Sequence, residues 1–253
     1  MQSLWRGDVR LAYVEAGSGA PPLLLVHGFC GNHRHLAPQF DYFRRSRRVV
    51  AVDRRGHGDS DKPGRAYTIE DDADDLAWLC CELGIYKPVV LVQSVAAIGF
   101  ALIGRYPELV RALILVEPLF ASAPAVRTAH QPGLEDLRGS EYQAALAKMV
   151  GRLFSLHGEC HPQVVAAVAE MLHVPQHVVL STWEHFLAYD GDSAAAACRL
   201  PLLTIHGSEA DDLAQLRRSC PHAHIVQVGK GRFPCLVAPD ETNRLIERFF
   251  ASL

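Results

Sequence analysis

Short, almost purely aliphatic runs that alternate with longer helical patterns are the feature that most constrains this chain of 253 residues. The runs consist mainly of valine, isoleucine and leucine, which is the composition of strands whose two faces are both buried. Strands are predicted at Val9–Glu15, Pro22–His27, Arg48–Asp53, Val89–Gln93, Ala112–Val116, Leu202–His206 and His224–Val228. The alternation predicts an α/β fold with a mostly parallel twisted sheet and helices on both of its faces.

Three helices are predicted between or after these strands. They are expected from Thr68 to Leu83, over Ser94–Tyr106 and over Pro239–Ser252. Thr68 can accept hydrogen bonds from the first turn of its helix, and three acidic residues follow it there. Asp240 or Thr242 is predicted to cap the last helix.

The strand rhythm stops between residues 121 and 199, where only helical patterns occur. These patterns cover Glu135–Phe154, Pro162–His173, Gln176–Tyr189 and Ser193–Cys198. We therefore predict one domain whose core is formed by residues 1–120 and 200–253, with residues 121–199 inserted as a helical lid. Such a lid lies over the carboxyl ends of the strands, where open α/β sheets bind ligands.

Composition limits the classes of partner. A net charge of −3 gives no electrostatic reason to expect a nucleic acid or an anionic membrane as partner. The first residues contain no apolar leader segment, and no run reaches the roughly 18 apolar residues of a spanning helix. Seven scattered cysteines without metal-ligand spacing favour reduced core thiols and no metal site. These features predict a cytoplasmic protein, and a homo-oligomer is left open.

Three motifs stand at the ends of predicted strands. His27-Gly28-Phe29 follows one strand, the sequence Asp-Arg-Arg-Gly-His-Gly-Asp-Ser at 53–60 follows the next, and Ser94 stands between a strand and a helix. With the order of sheet, lid and sheet, these motifs resemble the α/β-hydrolase fold family over about Val9 to Phe250. The resemblance implies cofactor-free ester, lactone or C–C bond chemistry on a small, partly apolar substrate.

The resemblance implies that Ser94 is the nucleophile, on a strained turn that lifts its hydroxyl clear of the sheet. This turn requires small residues two positions before and after the serine. Ala96 fits, but Val92 stands where glycine is usual. The backbone amides of Phe29 and Val95 would form the oxyanion hole. The alternative for Ser94 is a buried or helix-capping serine.

The resemblance places an arginine at the position of the catalytic histidine. Residues 231–234 read Gly-Arg-Phe-Pro where the family has Gly-His-Phe-Pro, so Arg232 stands at the base position. A guanidinium, with a pKa above about 12, cannot accept and return a proton near neutral pH. The acid is predicted at Glu117, and Asp211 is the alternative if the register slips by one residue. His185 in the lid is a candidate for the missing base, or else a surface residue.

Further candidates for contact with substrate are Cys30, His33, Trp183, His185 and Phe233. His27 is implied to be a structural residue of its turn and not a base.

Arg232 leaves three arrangements open. It can pair with Glu117, turn outward, or face the cavity beside the Phe29 and Val95 amides, where it suits a carboxylate, phenolate or enolate. The last arrangement allows decarboxylation, elimination, cyclisation or isomerisation without an acyl-enzyme. The alternative function is an inactive homologue that binds a small ligand or a protein partner.

Overall fold

The computed structural model describes residues 1–119, 133–153, 161–207, 212–229 and 233–253. The eight strands of these residues form one sheet in the order β1-β2-β4-β3-β5-β6-β7-β8. The strands are β1 Gln2–Arg6, β2 Val9–Ala16, β3 Leu23–Val26, β4 Val49–Val52, β5 Val89–Val95, β6 Ala112–Leu119, β7 Leu202–His206 and β8 His224–Gln227. The β1–β2 and β2–β4 pairs are antiparallel, and the remaining neighbours are parallel.

All seven predicted strands are present, and the mostly parallel α/β fold is confirmed. Strand β1 was not predicted because its residues are largely exposed and include no continuous apolar run. It pairs only with β2 and forms one edge of the sheet.

The helices lie between and after these strands. They are α1 Ala37–Phe43, α2 Ile69–Glu82, α3 Ala96–Arg105, α4 133–138, α5 Tyr142–Leu153, α6 Pro162–Met171, α7 Gln176–Ala188, α8 Gly191–Ala197, α9 Asp212–Ser219, α10 Pro234–Val237 and α11 Pro239–Ala251. A 3-10 turn over His33–Leu36 precedes α1. Helices α4 to α8 lie between β6 and β7, and we call them the inserted helices.

Two details of the predicted helices are wrong. The single helix expected over Glu135–Phe154 is divided into α4 and α5, because a glycine and a serine interrupt it at 139–140. Helix α11 begins after Ala238 without a side-chain cap. Asp240 lies inside its first turn, and the Thr242 hydroxyl donates to the Pro234 carbonyl at 3.0 Å.

Apolar side chains cover both faces of the sheet. Val90 and Val92 of β5 point to the face that packs against α2, α3 and the inserted helices, while Val89 and Leu91 point to the face that packs against α1 and α11. This alternation follows from the two-residue period of a strand, and it explains why the central strands are apolar at every position.

The described cysteines are unpaired, and five of the six are buried; Cys160 lies outside the described residues. In the described ranges no single helix is long and apolar enough to cross a membrane, although the bent pair of α6 and α7 passes that test jointly.

Thr68→Ala is expected to lower the free energy of unfolding by about 1 kcal/mol, because Thr68 and Asp71 form a reciprocal capping box at the start of α2. The Thr68 hydroxyl accepts from the Asp71 amide at 2.9 Å. Chemical denaturation measures the change, with the more conservative Thr68→Ser as control. Equal stability of the two variants would contradict a capping role.

Candidate active site

Ser94 occupies a sharp turn between β5 and α3. Its φ of +64° lies in the left-handed region that residues with a side chain rarely adopt. The pairing of β5 with β6 shifts register between Gln93 and Val95, so the strand bends at the serine. Ser94 is buried, and its Oγ has no hydrogen-bond partner among the described residues. The strained turn therefore holds, at the end of the central strand, a hydroxyl that no described residue engages.

Val92 fits at this turn because space is made on the facing helix. Its Cγ2 lies 3.3 Å from the point where a side chain on Gly99 would begin, and Leu113 Cδ1 lies 2.8 Å from the same point. The absent side chain of Gly99 on α3 thus accommodates the β-branched residue that stands in place of glycine. Sequence reasoning missed Gly99, since only the separation of strand and helix shows its role.

The loop after β3 is packed against the serine. A side chain on Gly28 would begin 2.7 Å from Ser94 Cβ and 3.0 Å from the Gln93 carbonyl oxygen. Phe29 follows at once and is buried, and Val95 lies beside Leu119 in the sheet. The structure therefore brings the residue before Phe29 against Ser94, and Val95 follows the serine directly. The role of the Phe29 and Val95 amides as donors stays a prediction.

His27 and Arg54 hold this loop through hydrogen bonds to its backbone. His27 Nε2 accepts from the Arg54 backbone amide at 3.0 Å, so its Nδ1 carries the proton and donates to the Gly28 carbonyl at 2.9 Å. The Arg54 guanidinium donates to the same carbonyl at 3.1 Å and to Asp72 at 2.6 Å. Burial, with the charge of Arg54, holds the pKa of His27 well below its usual value. This geometry gives His27 a structural role.

Glu117 lies at the end of β6, the strand next to β5. It is buried, it has a φ of +49°, and its carboxylate accepts a hydrogen bond from the amide of Gly207 after β7. Burial and the Glu117 charge raise the pKa of Cys235 in α10. Glu117 thus lies between the ends of two strands and the segment that follows residues 230–232.

Arg232 and Asp211 lie outside the described residues, so their placement at the site stays a prediction. The described neighbours of the arginine are Gly229, which has a φ of +58°, and Phe233, which is buried at the start of α10.

Trp183 covers the candidate oxyanion loop. Its ring centroid lies 4.9 Å from that of Phe29 and 5.3 Å from that of Phe186, which also belongs to α7. An aromatic cluster therefore joins the inserted helices to the loop beside Ser94. All three rings are buried, so the cluster excludes water from this side of the loop.

Among the remaining predicted residues, His33 and His185 have hydrogen-bond partners, and Cys30 is a buried thiol. His33 Nδ1 contacts the buried Asp53 carboxylate at 2.9 Å, and His185 Nδ1 contacts the Ser181 carbonyl at 2.7 Å along its own helix. Cys30 is buried with a φ of +53°, and burial raises the pKa of its thiol, so it is not a thiolate near neutral pH. Among the described residues, no group of three or more acidic, histidine or cysteine side chains is placed to hold a metal ion.

Comparison with known proteins agrees with this geometry. The family model for the alpha/beta hydrolase fold matches residues 21–239. The 2-(acetamidomethylene)succinate hydrolase of Mesorhizobium japonicum is 34% identical over 112 residues, which are 44% of this chain and 40% of that protein.

Two solved structures superpose on nearly the whole chain. The enol-lactonase of Burkholderia xenovorans has a TM-score of 0.85 at 24% identity and covers 99% of this chain and 100% of its own. The malate-bound esterase of Thermogutta terrifontis has a TM-score of 0.85 at 23% identity and covers 100% and 99%. At these identities the structures show a shared fold only. Because the family model spans most of the sequence, the chain belongs to the α/β-hydrolase fold family.

Proposed function

We propose that this protein is an enzyme that acts on a small, partly apolar organic substrate at Ser94, with the developing oxyanion held by the Phe29 and Val95 amides. The observation that carries the proposal is the left-handed backbone of Ser94, pressed against Gly28. A non-glycine residue in a strained conformation costs on the order of 1–3 kcal/mol, and such strain clusters at active sites.

The substrate cavity is proposed to lie between the strand ends and the inserted helices. In this proposal, residues 121–199 are the lid and residues 1–120 and 200–253 are the core. The contact between Phe29 and Trp183 supports this arrangement, because it brings an inserted helix over the loop beside the serine. Closure by an apolar lid strengthens electrostatic contacts inside the cavity by excluding water.

The reaction is proposed to rely on oxyanion stabilisation and not on a proton relay from serine to histidine. His27 is held by Arg54 and Gly28, His33 by Asp53, and His185 by Ser181. These contacts account for three of the histidines, and Arg232 is proposed as the group at the base position, where its fixed charge suits an anion. Decarboxylation, elimination, cyclisation or isomerisation of a substrate that passes through an enolate fits this set of groups.

The substrate class is proposed to be a carboxylate or an enol-derived compound. The relatives support this choice through their names alone: one is a hydrolase of a succinate derivative, one is an enol-lactonase, and one esterase was solved with malate bound. Succinate and malate are dicarboxylates, which a guanidinium binds through paired hydrogen bonds.

Arg232→His is expected to raise hydrolysis of p-nitrophenyl butyrate by at least about 100-fold, because it supplies a general base to the serine of the strained turn. The rate of p-nitrophenolate release measures the effect. Adding Ser94→Ala to this variant should remove the gain, while Arg45→His, at an exposed arginine, serves as the control.

Two results would overturn the proposal. In the first, the unaltered protein hydrolyses the ester as fast as Arg232→His does, which means that a histidine already serves as base. In the second, Arg232→His gains nothing and a fluorophosphonate probe labels Ser94 in neither protein. The second result would favour the inactive, ligand-binding alternative.

A further inference from the structure

Glu170 of α6 contacts the loop that connects β3 to α1. Its Oε2 accepts a hydrogen bond of 2.5 Å from Asn32 Nδ2, and its carboxylate lies 3.8 Å from the Arg34 guanidinium and 3.8 Å from His35 Nε2. Burial lowers the pKa of His35 to about 4, so this ring is neutral near pH 7 and Arg34 is the cation. One side chain of an inserted helix therefore meets three residues of one short loop.

Both polar atoms of the Asn32 side-chain amide are hydrogen-bonded. Its Oδ1 accepts from the Arg34 backbone amide at 2.9 Å and caps the 3-10 turn, while its Nδ2 donates to Glu170. The Asn32 carbonyl also accepts from the His35 amide at 3.1 Å. Asn32 is buried, and these contacts leave its side chain a single orientation. The position of Glu170 is thereby transmitted to the backbone of the loop.

The same loop carries Phe29, three residues earlier. The Gly31 amide donates to the Gly28 carbonyl at 3.2 Å, and Cys30 between them has a φ of +53°, so the backbone from 28 to 32 forms one tight turn. On the core side, Arg54 holds this turn through the Gly28 carbonyl at 3.1 Å. On the side of the inserted helices, Asn32 is its hydrogen-bonded anchor.

The side chain of Glu170 is 40% exposed, which distinguishes it from the buried Arg54 anchor. Water can replace its hydrogen bond to Asn32 when α6 moves away. A charge-assisted hydrogen bond between partly solvated groups is strong enough to bias a local equilibrium but not to lock it. The contact therefore has the properties of a releasable latch.

We propose that Glu170 is a positioning residue that couples the seating of the inserted helices to the order of the oxyanion loop. With α6 in place, Glu170 holds Asn32, and Asn32 holds the turn that presents Phe29 to Ser94. With α6 displaced, Asn32 loses this hydrogen bond, and the loop keeps its contacts to the core through Arg54 and Asp53. The catalytic role of this loop rests on the proposed function, whereas the coupling between α6 and the loop does not depend on it.

The coupling between Glu170 and the loop is tested by exchanging the donor and the acceptor of the hydrogen bond between Asn32 and Glu170. Asn32→Asp keeps the oxygen that caps the 3-10 turn but sets a carboxylate against Glu170. Amide hydrogen exchange over residues 28–36 should then accelerate by about tenfold or more, which is the effect of losing a charge-assisted hydrogen bond. The double variant Asn32→Asp/Glu170→Gln lets the glutamine amide donate to the new carboxylate. It should return exchange to within about threefold of the unaltered protein.

Glu184→Gln is the matched control, because Glu184 lies on an inserted helix, is also 40% exposed, and pairs with Arg138 at 2.5 Å. It should leave exchange over residues 28–36 unchanged. Exchange that stays slow in Asn32→Asp, or that stays fast in the double variant, would overturn the latch. So would an equal acceleration by Glu184→Gln.

Turnover of p-nitrophenyl butyrate by the Arg232→His protein separates this inference from the proposed function. With Asn32→Asp added, kcat should fall by about tenfold while KM changes little, since an oxyanion donor acts mainly in the transition state. If Asn32→Asp accelerates amide exchange but leaves kcat unchanged, the oxyanion role of Phe29 is wrong and the coupling through Glu170 is retained. If Asn32→Asp does not accelerate amide exchange over residues 28–36, the coupling through Glu170 is wrong, whatever value kcat takes.

Discussion

Gly28→Ala is expected to lower the free energy of unfolding by about 3 kcal/mol, at the upper end of the cost of over-packing. The new Cβ would lie 2.7 Å from Ser94 Cβ and 3.0 Å from the Gln93 carbonyl oxygen. Neither atom can rotate away, because Ser94 Cβ is bonded directly to the backbone and the Gln93 carbonyl oxygen is a backbone atom. The loop and the serine turn must therefore move apart, which also separates Phe29 from Ser94.

Guanidinium denaturation measures the loss of stability in Gly28→Ala. Labelling of Ser94 by a fluorophosphonate in the Arg232→His background measures the separation of Phe29 from Ser94. Gly64→Ala is the control, since no atom lies within 4 Å of a side chain begun at Gly64. If the two alanine variants are equally stable, the close approach of loop and turn is not maintained in solution.

Arg54→Met is expected to cost about 3–5 kcal/mol of stability, because it leaves the Asp72 carboxylate buried without its partner. The pair has a distance of 2.6 Å, and the arginine and aspartate side chains are 1% and 7% exposed. The variant also removes a donor from the Gly28 carbonyl. Arg105→Met is the control, since Arg105 pairs with Asp74 at the same distance but is 44% exposed. Breaking an exposed pair of this kind costs about 1 kcal/mol or less.

The cost of Arg54→Met should depend on pH. Burial raises the pKa of Asp72 in the native protein, and the Arg54 charge opposes that rise. Without Arg54 the folded-state pKa rises further above its unfolded value, so protonation stabilises the folded variant. The difference in stability from the unaltered protein should therefore be largest at neutral pH and narrow as pH falls through the folded pKa of Asp72. Denaturation at several pH values measures the trend, and a difference that widens on acidification would contradict it.

Much of the fold followed from local pattern. The strand β5 and the helix α2 have strong signals, because a fully buried parallel strand is apolar at every position and a capped helix carries its own start signal at Thr68. The edge strand β1 had no such signal, since its side chains are mostly exposed. The break between α4 and α5 was missed because two short helices and one long helix share the same apolar period.

The candidate site was predictable where a motif stands in one stretch of sequence. The resemblance to the family implied that Gly28-Phe29 lies beside Ser94, and the common edge at which parallel strands end is the physical reason for that arrangement. The role of Gly99 could not be predicted, because it depends on how closely α3 approaches Val92. The local commitments of His33 and His185 were equally hidden, since they depend on side-chain orientation.

The sequence by itself determined the alternation of strands and helices and the motifs that stand at the ends of the strands. These are local properties of side-chain type and spacing. Only the tertiary structure decided which distant polar groups meet: Glu170 with Asn32, 138 residues apart, and Glu117 with Gly207, 90 residues apart. Such pairs depend on the packing of whole elements against each other, and no local preference of either residue specifies the partner.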